Sequence, residues 1–148
     1  MFEQEGYDLT GAAFEVYNQL GYGMAEEVYQ QSLEIELGLQ GLPFQSKREL
    51  QMFYKGRRLE TYYRPDLVVF GQVVVELKAV KELAAEHQAQ LFNYMRIARQ
   101  PVGYLINFGT KGGLKWDRFI LSDLRGVGED SEGKEEIRTK EGKNTNLR

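Results

Sequence analysis

The segment Arg64-Pro65-Asp66-Leu67-Val68-Val69-Phe70-Gly71-Gln72-Val73-Val74-Val75-Glu76-Leu77-Lys78 constrains this chain more than any other. Two valine-rich runs bracket Gly71-Gln72, the pattern of a strand, a turn and a second strand. Every residue from Leu67 to Val75 is apolar or turn-forming, so the strands read as buried sheet, with Asp66, Glu76 and Lys78 standing at their ends. An unpaired carboxylate in an apolar interior costs roughly several kcal/mol even after relaxation. Two carboxylates and a lysine placed there point to a divalent-metal site with an ammonium group beside it. A buried ion-pair cluster is the structural alternative.

Strand parity turns this reading into a geometric expectation. Directly opposed residues of an antiparallel pair share a face of the sheet. A two-residue Gly71-Gln72 turn would pair Phe70 with Val73 and send Asp66 and Glu76 to opposite faces. A three-residue connection, Phe70-Gly71-Gln72, pairs Val69 with Val73 and sets Asp66 opposite Glu76. A shared metal site therefore requires the odd-length loop or an equivalent bulge, with an unusual backbone angle at Gly71 or its neighbour. Lys78, two residues beyond Glu76, falls on the same strand face.

Three strings occur in order along the chain: Gly23-Met24-Ala25-Glu26-Glu27-Val28-Tyr29 (G-x-x-E-x-x-Y), then P-D-x(9)-E-x-K over residues 65–78, then Gln90-Leu91-Phe92-Asn93-Tyr94 (Q-x-x-x-Y). The set, from about Leu9 to Phe119, resembles the PD-(D/E)xK nuclease superfamily and, within it, the family named after G-x-x-E-x-x-Y. The resemblance implies a restriction-endonuclease-like α/β core, a mixed central sheet flanked by helices. It implies hydrolysis of nucleic acid, DNA first, with magnesium as cofactor and manganese as a substitute. It places Glu26 beside the metal and gives Gln90 and Tyr94 the task of holding the nucleic-acid backbone. Asp66, Glu76 and the carbonyl of Leu77 would be a sufficient oxygen ligand set for magnesium, which keeps several waters. Lys78 would orient the attacking water or stabilise developing negative charge. A nucleic-acid-binding module with the same fold and little turnover is the competing reading.

A chain of 148 residues, 42% apolar, suits a single domain. With no cysteine and one histidine, thiolate sites and an all-imidazole zinc site are excluded, so any metal is held by oxygen. No apolar run approaches the roughly 20 residues that span a bilayer, and the N-terminal residues do not read as a signal peptide, so a cytoplasmic protein with no membrane partner is expected. Homodimerisation stays open. The net charge of −3 argues against strong nonspecific binding to nucleic acid, which Lys and Arg drive through counterion release. The basic groups Lys47-Arg48 and Lys55-Gly56-Arg57-Arg58 are the local exceptions, the second reading first as a solvated hairpin tip.

Helical spacing predicts a first helix through Leu9, Ala13, Val16 and Leu20, ended by Gly21 and Gly23. A second follows with Ala25, Val28, Ser32, Ile35, Leu39 and Leu42 as its buried stripe. Glu26 then sits on the shoulder of that stripe, in line with Tyr29, Gln30 and Leu33; a first-turn carboxylate favoured by the helix dipole is its bland reading. Strands are expected over 44–54, 57–70, 73–80, 102–108 and 114–121, and a helix over 83–99. On that helix His87, Gln90 and Tyr94 share one face, with His87 read as structural. The tyrosines and phenylalanines read first as core. Residues 1–125 form the domain; 126–148 are polar, mixed in charge, and expected to be a mobile tail.

Overall fold

The computed structural model describes residues 1–122 and the backbone of 137–143. Three helices and eight strands follow one another as α1 (Glu3–Leu20), α2 (Glu26–Leu39), β1 (Phe44–Ser46), β2 (Leu50–Tyr54), β3 (Arg57–Tyr63), β4 (Leu67–Val69), β5 (Val73–Lys78), α3 (Ala85–Ala98), β6 (Val102–Asn107), β7 (Lys115–Leu121) and β8 (Ile137–Lys143). Six strands make one mixed sheet in the order β1-β4-β5-β6-β7-β8, and β2 pairs with β3 in a separate hairpin. The β5–β6 pair is parallel, joined through the α3 crossover; the other described pairs are antiparallel. No helix of the described residues is long and apolar enough to cross a membrane.

Alternation along β4, β5 and β6 divides the core in two. Leu67, Val69, Val73, Val75, Leu77, Val102, Tyr104 and Ile106 face α1 and α2, whose Leu9, Ala13, Val16, Tyr29, Leu33 and Leu37 complete that layer. Val74 and Leu105 face the other way, against Leu91, Tyr94 and Met95 of α3. Gly103 lets α3 come close: a Cβ there would lie 2.6 Å from the Met95 sulfur. Glu76 and, across the β4–β5 register, Asp66 belong to this α3 side.

Several sequence expectations change. The stripe foreseen on α2 is the wrong one: Val28, Ile35 and Leu39 are exposed, and Tyr29, Gln30, Leu33 and Leu37 are buried. Two apolar lines compete on this helix, and the Tyr29 line won because its ring stacks flat on Phe108 at 4.6 Å. The single strand expected over 44–54 is two, broken at Lys47, which takes φ 48. The long strand over 57–70 is also two, broken around Pro65, which lacks the N–H that a continuous ladder needs. Of the segment expected to be a polar tail, residues 137–143 form β8 along β7; the rest lies outside the described residues.

Candidate active site

The β4–β5 connection has three residues. Val69 pairs with Val73, Val68 with Val74 and Leu67 with Val75, so the next position along the register sets Asp66 opposite Glu76. Phe70 and Gly71 take φ 54 and 70 at the centre of a turn closed by the Gln72 N–H donating to the Val69 carbonyl at 3.1 Å, and Gln72 is the extra residue before the pairing begins. The two carboxyls are locked together through the backbone. The Asp66 N–H donates to Glu76 Oε1 at 2.8 Å, and the Leu77 N–H donates to Asp66 Oδ2 at 2.7 Å. One oxygen of each carboxyl is thereby held by an amide, and the other oxygen of each remains for a cation. Pro65, with no N–H to donate, cannot extend the β4 ladder to the Leu77 carbonyl.

Burial dominates the electrostatics. Glu76 is only 4% exposed, and desolvation, followed by the charge of Asp66, pushes its carboxyl up to about 9. The Asp66 carboxyl also rises, through burial, with the Leu77 N–H bond opposing the rise. Lys78 lowers both, and Glu26 raises both. A carboxyl pair this reluctant to carry two negative charges gains by sharing a divalent cation, and a hard, oxygen-binding ion such as magnesium suits the donors.

Glu26 opens α2 and is exposed at its first turn. Its charge is felt by both carboxyls, yet no three of the described His, Asp and Glu side chains gather as a metal-holding group, so it stands off from the pair. The rest of its motif is structural. Gly23 takes φ 98 in the turn before the helix, and the Tyr29 hydroxyl donates to the Gly21 carbonyl at 2.5 Å while accepting from the Met24 N–H. Gln30, one turn beyond Glu26, carries no sequence signal of a role at the site. It is 2% exposed and its Nε2 donates to the Asp66 carbonyl at 3.0 Å, fastening α2 to the start of β4.

On α3, Gln90 Nε2 donates to the Tyr94 hydroxyl at 2.9 Å. Tyr94 is buried over the carboxyls: desolvation raises its hydroxyl pKa, and the charges of Glu76 and Asp66 add to the rise. Gln90 and Tyr94 thus share the α3 side of the sheet with Asp66 and Glu76. His87 is structural: its Nδ1 accepts from the Ala84 N–H at 3.0 Å and caps the helix. Behind Lys78, Asn107 clamps the following loop by accepting from the Val80 N–H and donating to its carbonyl.

A family model described as the PD-(D/E)XK nuclease superfamily matches residues 3–119, from α1 into β7. The mixed sheet between helices agrees with the restriction-endonuclease-like core that this match carries. No match was found among curated proteins or among solved structures.

Proposed function

This chain belongs to the PD-(D/E)XK nuclease superfamily, and from that premise we propose that it is a magnesium-dependent phosphodiesterase of the G-x-x-E-x-x-Y branch that cleaves DNA in the cytoplasm, with manganese able to replace magnesium. The observation that carries the proposal is the three-residue loop, which puts Asp66 and Glu76 on one buried face. Asp66, Glu76 and the Leu77 carbonyl would hold the ion. When bound, magnesium lowers the pKa of coordinated water and neutralises charge on phosphate oxygens, both of which favour in-line attack at phosphorus.

The remaining work falls to the chain. Lys78, on the strand face of Glu76, orients the water or stabilises charge that develops on the phosphate. Glu26, outside the pair, would serve as an outer carboxylate that helps to hold the ion's waters. Tyr94, fixed by Gln90, holds the substrate backbone against the site. The alternative, a nucleic-acid-binding module with little turnover, draws support from the two amide bonds to the carboxyls, which satisfy them in part with no ion.

A panel of labelled single-stranded, duplex, flap and junction DNA substrates, incubated with magnesium, manganese or excess chelator, tests the proposal. Metal-supported cleavage that vanishes in Glu76→Gln and in chelator is the expected result. Cleavage that persists in either removes the assignment. Heat of magnesium binding without cleavage of any substrate favours the binding module.

A further inference from the structure

The β2–β3 hairpin carries an aromatic and basic surface that the catalytic reading leaves unused. The sequence reads its rings as core, but Phe53 and Tyr54 are more than half exposed, and Tyr62 and Tyr63 are about 40% exposed. Every residue of β3 is open to solvent. Residues 47–64 hold six basic side chains, Lys47, Arg48, Lys55, Arg57, Arg58 and Arg64, against the acidic Glu49 and Glu60, a surplus of four in a chain of net charge −3.

Register sorts the rings. Leu50 pairs with Tyr63 on the inner side, where Leu50 is buried and the Tyr63 ring meets Tyr94 at 5.6 Å. Gln51 with Tyr62, and beyond a bulge Phe53 with Arg58, make the outer side. There the Arg64 guanidinium lies over the Tyr62 ring and donates to its hydroxyl at 2.7 Å, and Arg58 donates to Gln51. Arg58, Tyr62 and both glutamates line a shallow groove of about 380 Å³ on this side. Tyr62 precedes Asp66 by four residues, at most about 14 Å of extended chain, so whatever rests on it lies within a few nucleotides of the carboxyl pair.

We propose that the β2–β3 hairpin is an arm that binds single-stranded nucleic acid, with unpaired bases stacking on Tyr62 and Phe53 and phosphates meeting Arg58 and Arg64. The inference rests on the nuclease reading and narrows its substrate class. Duplex binding draws on phosphate neutralisation, which a chain of net charge −3 supplies poorly. Stacking on exposed rings needs no such surplus over the whole molecule, and it is open only to unpaired bases. Glu49 lies 3.9 Å from Arg64 and is offset by it, which leaves Glu60 as the charge in the groove that opposes a polyanion.

The test is fluorescence anisotropy in EDTA, with a labelled oligo-dT of about 20 nucleotides, longer than a ~4–16-nucleotide footprint, and a duplex of the same length. The strand should bind about tenfold or more tightly than the duplex. Tyr62→Ala and Phe53→Ala should each weaken strand binding by about tenfold, Tyr62→Phe should stay near the parent, and Glu60→Gln should tighten it. No binding of the strand, equal or tighter duplex binding, or affinities unmoved by both alanine variants overturns the arm. Cleavage by the parent protein, assayed in magnesium beside these affinities, separates this from the nuclease reading. Strand binding with no cleavage of any substrate leaves the arm and removes the nuclease; metal-supported cleavage with unmoved affinities does the reverse.

Discussion

Two pairs of strands, fewer than twenty residues apart in sequence, have opposite relations to solvent. The β4–β5 pair is buried on both faces, with Leu67, Val69, Val73, Val74 and Val75 fully hidden. The β2–β3 pair meets the domain through Tyr63 on Tyr94 of α3 and through the inward Leu50, and all seven residues of β3 are exposed. Burial locks register, because a one-residue slip would turn every valine from core to the opposite layer. The exposed hairpin has no such lock, and it contains a register shift between Gln51 and Phe53. Chemistry that depends on two side chains sharing a face belongs in the first region. A surface that must yield to a flexible ligand belongs in the second.

The largest expected effect comes from breaking register in each pair. One glycine inserted into β4 between Val68 and Val69 shifts the strand by one residue and sets Asp66 opposite Leu77 instead of Glu76. It should lower the melting temperature by more than ~10 °C, on the scale of several kcal/mol in a domain of this size, and abolish cleavage. The same insertion between Lys55 and Gly56 should shift melting by less than ~2 °C. Equal sensitivity of the two strand pairs in a thermal melt would erase the distinction.

Lys78→Ala comes next. The ammonium acts on the buried pair without holding the ion, so its loss should lower the cleavage rate by about 10²–10³-fold, as for other preorganised charges, with folding kept. A rate within twofold of the parent in single-turnover assays would assign Lys78 to structure alone.

How far the sequence disclosed these regions follows from the same contrast. The carboxyl pair was legible because charges stand out against a buried valine run, and strand parity then dictated the loop. Gln90 and Tyr94 were legible as a helical face. The α2 stripe was not: Val28, Ile35 and Leu39 make as good a periodic line as Tyr29, Leu33 and Leu37, and only the Tyr29–Phe108 stack, a contact between distant residues, decides between them. The exposed rings of β3 were missed because aromatic residues favour strands whether or not another layer covers them. Gln30 was missed because a lone amide gives no signal until its partner, a backbone carbonyl 36 residues away, is in place.

The buried pair also predicts a pH dependence of its own. The Glu76 carboxyl lies near 9 in the folded chain against an ordinary 4.5, so between those values the folded state holds a proton that the unfolded chain has lost. Its contribution to stability is present below about 4.5 and is lost as pH rises toward about 9. In excess chelator the melting temperature should fall over that range. Glu76→Gln, which cannot ionise, should flatten the slope and melt ~3 °C or more above the parent at pH 8. Magnesium must displace the same proton, so its affinity should rise with pH up to about 9. A melting temperature in chelator that is flat or rising across this window would mean that Glu76 is already ionised in the folded chain.

The smallest effect is expected at the opposite edge of the sheet. The segment from Gly126 contains few large apolar side chains, Ile137 and Leu147 among them, and β8 is built from Ile137-Arg138-Thr139-Lys140-Glu141-Gly142-Lys143. Backbone pairing along β7 extends the sheet by one edge strand. Hydrogen bonds exchanged with water contribute little net stability, and so charged an edge has little apolar area to hide. Truncation after Arg125 should therefore lower the melting temperature by no more than ~2 °C and leave cleavage unchanged, since Glu76 on β5 lies two strands from β7 and Asp66, at the start of β4, three. A fall of many degrees would show that β7 needs its outer partner, and would extend to this edge the dependence on pairing that sets β4–β5 apart from the hairpin.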